Sequence, residues 1–95
     1  IKDVAGNLSV WMRPKKVGTP LPMLGTSSRV MYEPKGVALV IAPWNYPFFL
    51  IAEPLVSAIA AGCCAVLKPS EMTPHTSALI ARMAAELFDE QEVAV

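Results

Sequence analysis

The sequence predicts an α/β fold built around a parallel sheet, and three observations lead to that prediction. Residues 37–42 are continuously apolar, as is typical of a strand buried on both faces. From residue 37 onward the pattern alternates strand, helix, strand, helix, strand. Polar segments around Asn45 and Lys68 follow two consecutive strands. Right-handed crossovers make such a sheet parallel, and the carboxyl edge of a parallel sheet is where these folds bind ligands.

The first third of the chain is predicted to contain little regular structure after an opening helix. In residues 1–27, Val4, Leu8 and Trp11 recur at helical spacing, and the proline- and glycine-rich stretch that follows predicts an extended linker. Apolar and polar side chains alternate from residue 28, and a turn sequence ends the segment 28–36. We therefore expect a short strand there, before the sheet segment 37–95 begins.

Two helices are predicted within residues 37–95. The first follows Pro47, is kinked or interrupted by Pro54, and stops at Gly62. The second begins at Thr73 as its cap, with Pro74 in the first helical position. Its buried stripe is expected to comprise Thr76, Leu79, Ile80, Met83 and Leu87, with Arg82 and Glu86 facing solvent together. Further strands are predicted at 63–67 and from residue 93.

Composition excludes several classes of function. Eight basic and eight acidic residues cancel, so neither nucleic acid nor a membrane surface is expected as a partner. The apolar stretch 47–67 is broken by Glu53, Pro54 and Gly62, which argues against a transmembrane helix. Because the chain lacks an initial Met and 54% of its 95 residues are apolar, we expect an internal segment of a longer protein.

Cys63 and Cys64 are adjacent, and neighbours in a strand point to opposite faces, so they are poor disulfide partners. They are expected to be small buried residues in a reducing compartment. Apolar surroundings raise the pKa of a thiol rather than activating it, so neither is expected to be a nucleophile. His75 stands alone and is expected to be structural or solvated. No metal-ligand spacing, nucleophilic triad or glycine-rich phosphate fingerprint occurs, so a dinucleotide would have its phosphates held differently.

Asn45 and the pair Lys68 and Glu71 are the candidate functional residues. For each, the sequence allows a structural and a functional interpretation. Asn45 could cap the following helix, or its amide could donate to an oxyanion if Trp44 and Pro47 held it in a buried turn. Lys68 and Glu71 could form a solvated surface ion pair, or hold the two hydroxyls of a nucleotide ribose. The residues alone leave both choices open.

Four motifs together resemble the NAD(P)-dependent aldehyde dehydrogenase superfamily. They are Pro34-Lys35-Gly36-Val37, Pro43-Trp44-Asn45-Tyr46-Pro47, Ala60-Ala61-Gly62 and Leu67-Lys68-Pro69-Ser70-Glu71. The Trp-Asn-Tyr-Pro and Lys-Pro-Ser-Glu forms look most like its class-three branch. The two ends, 11–14 and 92–95, are most similar to coniferyl aldehyde dehydrogenases. The similarity covers essentially the whole chain.

The resemblance implies a role for each candidate residue. Asn45 matches the oxyanion-hole asparagine, and Tyr46 and Phe49 match positions that line the aldehyde tunnel. The matching cofactor-binding positions are Ile41, Ala42, Pro43, Trp44, Lys68, Ser70 and Glu71, with NAD as cofactor and NADP as an alternative. Residues 28–36 match a strand of the oligomerisation hairpin, and 37–95 match the first part of the cofactor-binding domain. The resemblance also implies a homodimer in the cytoplasm.

The family's nucleophilic cysteine, general-base glutamate and phosphate-contacting helix have no counterpart in this chain. The implied reaction is oxidation of an aldehyde to a carboxylic acid through a thiohemiacetal and a thioester, to which this segment contributes but which it cannot complete. Two other functions remain open at the level of sequence. One is a catalytically inactive nucleotide-binding module, and the other is a related semialdehyde or acylating dehydrogenase.

Overall fold

The computed structural model describes residues 1–95, which form two compact units, Ile1–Glu33 and Pro34–Val95. The helices are α1 (Lys2–Trp11), α2 (Phe49–Ala60) and α3 (Pro74–Leu87), and the strands are β1 (Lys15–Val17), β2 (Ser28–Val30), β3 (Val37–Ile41), β4 (Cys64–Lys68) and β5 (Val93–Ala94). This mixture of helices and a parallel sheet confirms the predicted α/β class.

In the first unit, α1 is followed by a two-stranded antiparallel sheet rather than by a featureless linker. β1 pairs with β2, with Lys16 opposite Arg29. The predicted extended linker therefore contains a strand, because the three residues between Pro14 and Gly18 are free to pair. A 3-10 turn at Leu21–Met23 lies between the strands. The Lys15 ammonium lies 5.8 Å from the centroid of the Tyr32 ring.

The second unit contains the predicted parallel sheet, with strand order β3-β4-β5. β3 and β4 pair in parallel from Val37 opposite Cys64 to Ile41 opposite Lys68. β5 adds to the other side of β4, with Val93 opposite Ala65. The predicted strand at 63–67 is observed one residue later along the chain. Because adjacent strands are joined by α2 and α3, both strand-helix-strand units predicted from the sequence are present.

The ends of α2 and α3 follow from their sequences. α2 runs through Pro54 and ends where Gly62 adopts a positive φ of 77°. There the Gly62 N–H donates to the Ile59 carbonyl and the Cys63 N–H donates to the Ala58 carbonyl, the two bonds of a Schellman motif. α3 begins as predicted with Pro74 after Thr73, although the Thr73 hydroxyl makes no capping hydrogen bond.

The core lies between the sheet and its two helices, on one face only. Its buried residues are Val40, Ala42, Ile51, Ala65, Leu67, Ile80, Ala84 and Val93. The prediction that 37–42 is buried on both faces is wrong, because Val37, Leu39 and Ile41 are 69%, 64% and 65% exposed. They share a face with their β4 partners, and no element of the second unit covers that face.

Two further predictions about burial are corrected. The stripe of α3 that faces the core is centred on Ile80 and Ala84, whereas Leu79 and Leu87 are exposed. Cys63 is half-buried and Cys64 is exposed, because Cys64 opens β4 on the uncovered face. Arg82 and Glu86 are exposed as predicted. Each helix falls short of the length or the apolar content that a bilayer-spanning segment requires.

Candidate functional site

The two polar segments singled out from the sequence lie at the same edge of the sheet. Ile41, the last residue of β3, is paired with Lys68, the last residue of β4. The backbone continues this pairing by one residue, since the Ala42 N–H donates to the Lys68 carbonyl over 3.1 Å. The loop at 43–48 and the loop at 69–73 therefore leave neighbouring strand ends, the position that α/β sheets use for ligands.

The Asn45 side chain is exposed and takes no part in the structure of α2. The N-cap of α2 is Phe48, and no side chain caps that helix, so the interpretation of Asn45 as a cap is wrong. The expected buried turn is also wrong, because Trp44 is 60% exposed and Asn45 is exposed beside it. The reason is that the loop lies beyond the end of the sheet, outside the layer that the helices cover. Its carboxamide is left available to a ligand.

Tyr46 has a left-handed backbone, with a φ of 52°, and it is the one residue other than glycine with a positive φ. An aromatic residue seldom adopts this conformation. The Tyr46 carbonyl accepts a hydrogen bond from the Leu50 N–H over 3.1 Å, so this turn leads directly into α2. The rings of Tyr46 and Phe49, the predicted substrate-lining residues, are both largely exposed.

Lys68 and Glu71 form a salt bridge, in which the ammonium donates to Oε1 of the carboxylate. Both side chains are well exposed. The hydrogen bond from Lys68, a backbone hydrogen bond at Glu71 itself and the positive charge of Lys68 together hold the pKa of the Glu71 carboxyl below its usual range. The carboxylate is therefore ionised at neutral pH, and its second oxygen, Oε2, remains free to accept hydrogen bonds.

Ser70, between these two residues, is buried and anchors the loop to α3. Its hydroxyl accepts the Met72 N–H over 3.3 Å. Its carbonyl accepts hydrogen bonds from the Thr73 hydroxyl over 3.3 Å and from the Ser77 hydroxyl over 2.9 Å. The predicted direct contact of Ser70 with a cofactor stays a prediction, and what the structure shows is that Ser70 fixes the turn carrying Glu71.

The remaining predicted cofactor residues follow β3 along the sheet edge. Ile41 and Trp44 are exposed, and so is Pro43 between them. Ala42 is buried at 5% exposure and belongs to the core, with only its backbone at the edge. Exposed apolar side chains therefore lie on each side of a buried one along this stretch.

Two features of the site were not predicted from the sequence. Thr73 and Ser77 hold the Ser70 carbonyl, and hydroxyl residues spaced at 70, 73 and 77 around a helix start are the signal that could have indicated this. The left-handed conformation of Tyr46 had no signal, because tyrosine does not favour it. The hydrogen bonds to the Ser70 carbonyl and the positive φ of Tyr46 both determine the backbone conformation next to the candidate residues Glu71 and Asn45.

A parallel sheet covered by helices, with exposed polar loops at consecutive strand ends, defines the α/β class of folds, which bind ligands at that edge. The sequence profile of the Aldehyde dehydrogenase family matches residues 5–93, nearly the whole chain. The chain therefore belongs to the aldehyde dehydrogenase family.

Individual relatives agree with the branch that the motifs indicated. A coniferyl aldehyde dehydrogenase of Pseudomonas is 45% identical over 98% of this chain and 19% of its own length. Aldehyde dehydrogenase family 3 member H1 of Arabidopsis thaliana is 43% identical over 100% of this chain and 20% of its own. The resemblance to family 3 and to coniferyl aldehyde dehydrogenases is thus confirmed. The chain spans about a fifth of the length of the relatives it matches.

A solved structure confirms the fold. The substrate-bound state of AldH from Staphylococcus aureus superposes with a TM-score of 0.94 at 46% identity, covering 99% of this chain and 20% of that one. The chain thus has the fold of the corresponding part of that aldehyde dehydrogenase.

Proposed function

We propose that the protein carrying this segment oxidises aldehydes to carboxylic acids with NAD(P)+. The observation that supports this most is the position of two exposed polar loops at adjacent strand ends, one with a free carboxamide and one with an ionised carboxylate. Family membership and the named relatives agree with it. The nucleophilic cysteine and the general-base glutamate that the family resemblance implies lie outside residues 1–95.

In the proposed reaction, Asn45 stabilises negative charge. Attack by a cysteine thiolate on the aldehyde forms a C–S bond and places negative charge on the former carbonyl oxygen. The Asn45 amide donates a hydrogen bond to that oxygen, and does so again when water attacks the thioester. A donor fixed before the reaction is worth more than one that must turn into place. Both N–H groups of Asn45 are without internal acceptors and are therefore available to donate to that oxygen.

The Lys68–Glu71 loop suits the ribose of an adenine dinucleotide. The free Oε2 of Glu71 can accept from a ribose hydroxyl, and the negative charge disfavours an additional phosphate at that position. Lys68 has further N–H groups that can donate to the same sugar. The dinucleotide, when bound, supplies a hydride acceptor. The chain's own contribution is to hold one end of it beside the Asn45 loop.

An aromatic or medium-chain aldehyde is the proposed substrate. Tyr46 and Phe49 present two largely exposed rings in and next to the loop that carries Asn45. Such rings bury an aromatic or alkyl group while leaving its polar end free. The Pseudomonas relative is named for coniferyl aldehyde, which is itself aromatic.

A cytoplasmic homodimer is the proposed setting. β1 and β2 form a two-stranded ribbon, which is marginal by itself and requires a further packing surface. Val30, Met31 and Tyr32 are exposed along it and just after it. A second copy would cover such a ribbon, as the resemblance to an oligomerisation hairpin implies.

The test is steady-state kinetics on the full-length enzyme, with reduction of NAD+ followed at saturating aldehyde. Asn45→Ala should lower kcat by about a hundred-fold or more, the usual effect of removing one oxyanion donor, and leave cofactor affinity unchanged. Asn7→Ala is the matched control, because Asn7 is a helix residue bonded only to Asp3. Turnover in Asn45→Ala equal to that of the control would remove Asn45 from the mechanism.

The alternative functions give different results in the same assay. An inactive nucleotide-binding module would bind NAD without aldehyde-dependent reduction. An acylating dehydrogenase would require coenzyme A and release a thioester instead of an acid. Identification of the product therefore separates these two functions from the proposed one. A related semialdehyde dehydrogenase also releases an acid, and comparison of kcat/KM for semialdehydes and for aromatic aldehydes distinguishes it.

A further inference from the structure

Tyr46 occupies a strained backbone conformation that its own side chain does not explain. A left-handed φ is unfavourable for an L-residue relative to the right-handed one, because Cβ comes too close to the following carbonyl oxygen. The Tyr46 ring is 75% exposed, so packing of the ring offsets little of that cost. The following Pro47 does not account for it either, because a residue before proline favours extended backbone with a negative φ. The conformation is therefore imposed by the loop as a whole.

Two backbone hydrogen bonds bracket this loop and hold it in place. On the strand side, the Ala42 N–H donates to the Lys68 carbonyl over 3.1 Å. On the helix side, the Leu50 N–H donates to the Tyr46 carbonyl over 3.1 Å. Strained residues persist where their surroundings fix them in this way, and they concentrate at functional sites. Asn45 lies inside the bracket, directly before the strained residue.

We propose that Tyr46 is a positioning residue, whose left-handed backbone sets the direction in which Asn45 is presented to substrate. The proposal rests on the proposed function of Asn45 as an oxyanion donor. The Asn45 side chain is exposed and is not used to cap α2, so neither packing nor capping orients it. The peptide that joins Asn45 to Tyr46 then sets the direction of the Asn45 Cα–Cβ bond, from which the carboxamide reaches the substrate. This backbone role is separate from the role of the Tyr46 ring in lining the substrate tunnel.

Two variants of the full-length enzyme separate the backbone from the ring. Tyr46→Asn and Tyr46→Val both remove the ring, but asparagine tolerates a positive φ whereas a β-branched residue does not. We expect kcat of Tyr46→Val to be at least about ten-fold below that of Tyr46→Asn, a difference of about 1.4 kcal/mol in activation free energy. KM for NAD+ should be the same in both, and KM for the aldehyde should change equally in both.

A double-mutant cycle shows whether Tyr46 acts through Asn45. In an Asn45→Ala background, the difference in kcat between Tyr46→Asn and Tyr46→Val should vanish. Thermal melting checks that each variant is folded. If Tyr46→Val does not fold, Tyr46→Ala takes its place, with an expected kcat at least about three-fold below that of Tyr46→Asn because alanine also disfavours a positive φ.

The outcomes distinguish this inference from the function on which it rests. Equal kcat values for the two Tyr46 variants, together with a damaged Asn45→Ala enzyme, would overturn the positioning role and leave the proposed function intact. A difference that persists in the Asn45→Ala background would also overturn it. Full turnover in Asn45→Ala would reject both the positioning role of Tyr46 and the role of Asn45 as an oxyanion donor.

Discussion

The loop that carries Asn45 and the loop that carries Glu71 leave adjacent strand ends, yet they are built in opposite ways. The Lys68–Glu71 loop is held by side-chain hydrogen bonds. The buried Ser70 accepts the Met72 N–H at its hydroxyl, and the Thr73 and Ser77 hydroxyls at its carbonyl. The Asn45 loop has no side-chain hydrogen bond, and its shape depends on backbone hydrogen bonds at its two ends and on the left-handed Tyr46. One loop is fixed by side chains, and the other by the main chain.

The difference suits the tasks proposed for the two loops. A ribose is bound in the same way throughout the reaction, so its carboxylate partner can be tied into the fold without loss. An oxyanion donor must keep the N–H that meets the oxyanion free of internal acceptors, so an internal hydrogen bond from that N–H of Asn45 would compete with its function. A strained main chain orients a side chain without using its polar atoms. Mutations in the two loops should therefore have different kinetic signatures.

Glu71→Gln tests the Lys68–Glu71 loop, and it should weaken NAD binding more than Ser77→Ala, the other variant in this loop. The variant retains the shape of the side chain but loses its charge, so NAD should bind roughly ten-fold more weakly, in line with loss of a hydrogen bond to a charged group. NADP should be affected less, because the repulsion of an additional phosphate disappears as well. The measurement is titration of the full-length enzyme with each cofactor.

Glu86→Gln is the control for that titration. Glu86 lies on the exposed side of α3 and forms no ion pair. Its substitution makes the same change in net charge away from the site. Unchanged binding of both cofactors to Glu71→Gln would reject the ribose assignment and leave the ion pair as a surface feature. A proportional loss for NAD and NADP would retain the contact but reject the charge-based selection.

Ser77→Ala removes a hydrogen bond that holds the Lys68–Glu71 loop, and it leaves the exposed side chains of Lys68 and Glu71 unchanged. The Ser77 hydroxyl lies 2.9 Å from the Ser70 carbonyl and 3.0 Å from the Thr73 carbonyl, and its single hydrogen serves one of them at a time. The free energy of unfolding should fall by about 1 kcal/mol, and NAD affinity should fall by a few-fold with kcat retained. Chemical denaturation and cofactor titration measure the two effects.

The matched control for Ser77→Ala is Ser57→Ala in α2. The exposed Ser57 hydroxyl donates only to the Glu53 carbonyl within its own helix, over 3.2 Å. Its loss should change stability by less than about 0.5 kcal/mol and leave NAD affinity as it was. If the two serine variants behave alike, the hydrogen bonds around Ser70 do not fix the loop, and the contrast between the two loops is lost.

The fold was predictable because its signals are local. Gly62 predicted the end of α2, Pro74 predicted the start of α3, and the alternation of apolar runs predicted the order of the strands. Burial was predicted less well, because it depends on what covers each face. Leu39 reads as a core residue in a strand but lies 64% exposed, since both helices pack against the opposite face of the sheet.

The position of the candidate residues at one edge of the sheet was predictable, but the construction of the two loops was not. The spacing of Asn45 and Lys68 at consecutive strand ends was enough to bring them to one edge. The exposure of Asn45 was not predicted, since aromatic and proline neighbours suggested a buried turn. The conformation of Tyr46 arises from how the loop must join β3 to α2, and residue preference opposes it. The exposure of Asn45 and the positive φ of Tyr46 depend on the path of the chain, so residue composition does not predict them.

The smallest predicted effect concerns the pH dependence of the Lys68–Glu71 ion pair without cofactor. Lys68 lowers the pKa of Glu71 in the folded protein, so the ionised pair stabilises the fold above the ordinary value of 4.5. That contribution is lost as pH falls through the lowered pKa. The stability difference between wild type and Glu71→Gln should therefore be small at neutral pH, since both side chains are exposed, and should shrink further in acid and in high salt. Denaturant midpoints at several pH values measure it. If the stability difference between wild type and Glu71→Gln grew on acidification, the folded protein would favour the protonated form of Glu71. The conclusion that the Lys68–Glu71 loop carries an ionised carboxylate would then be rejected.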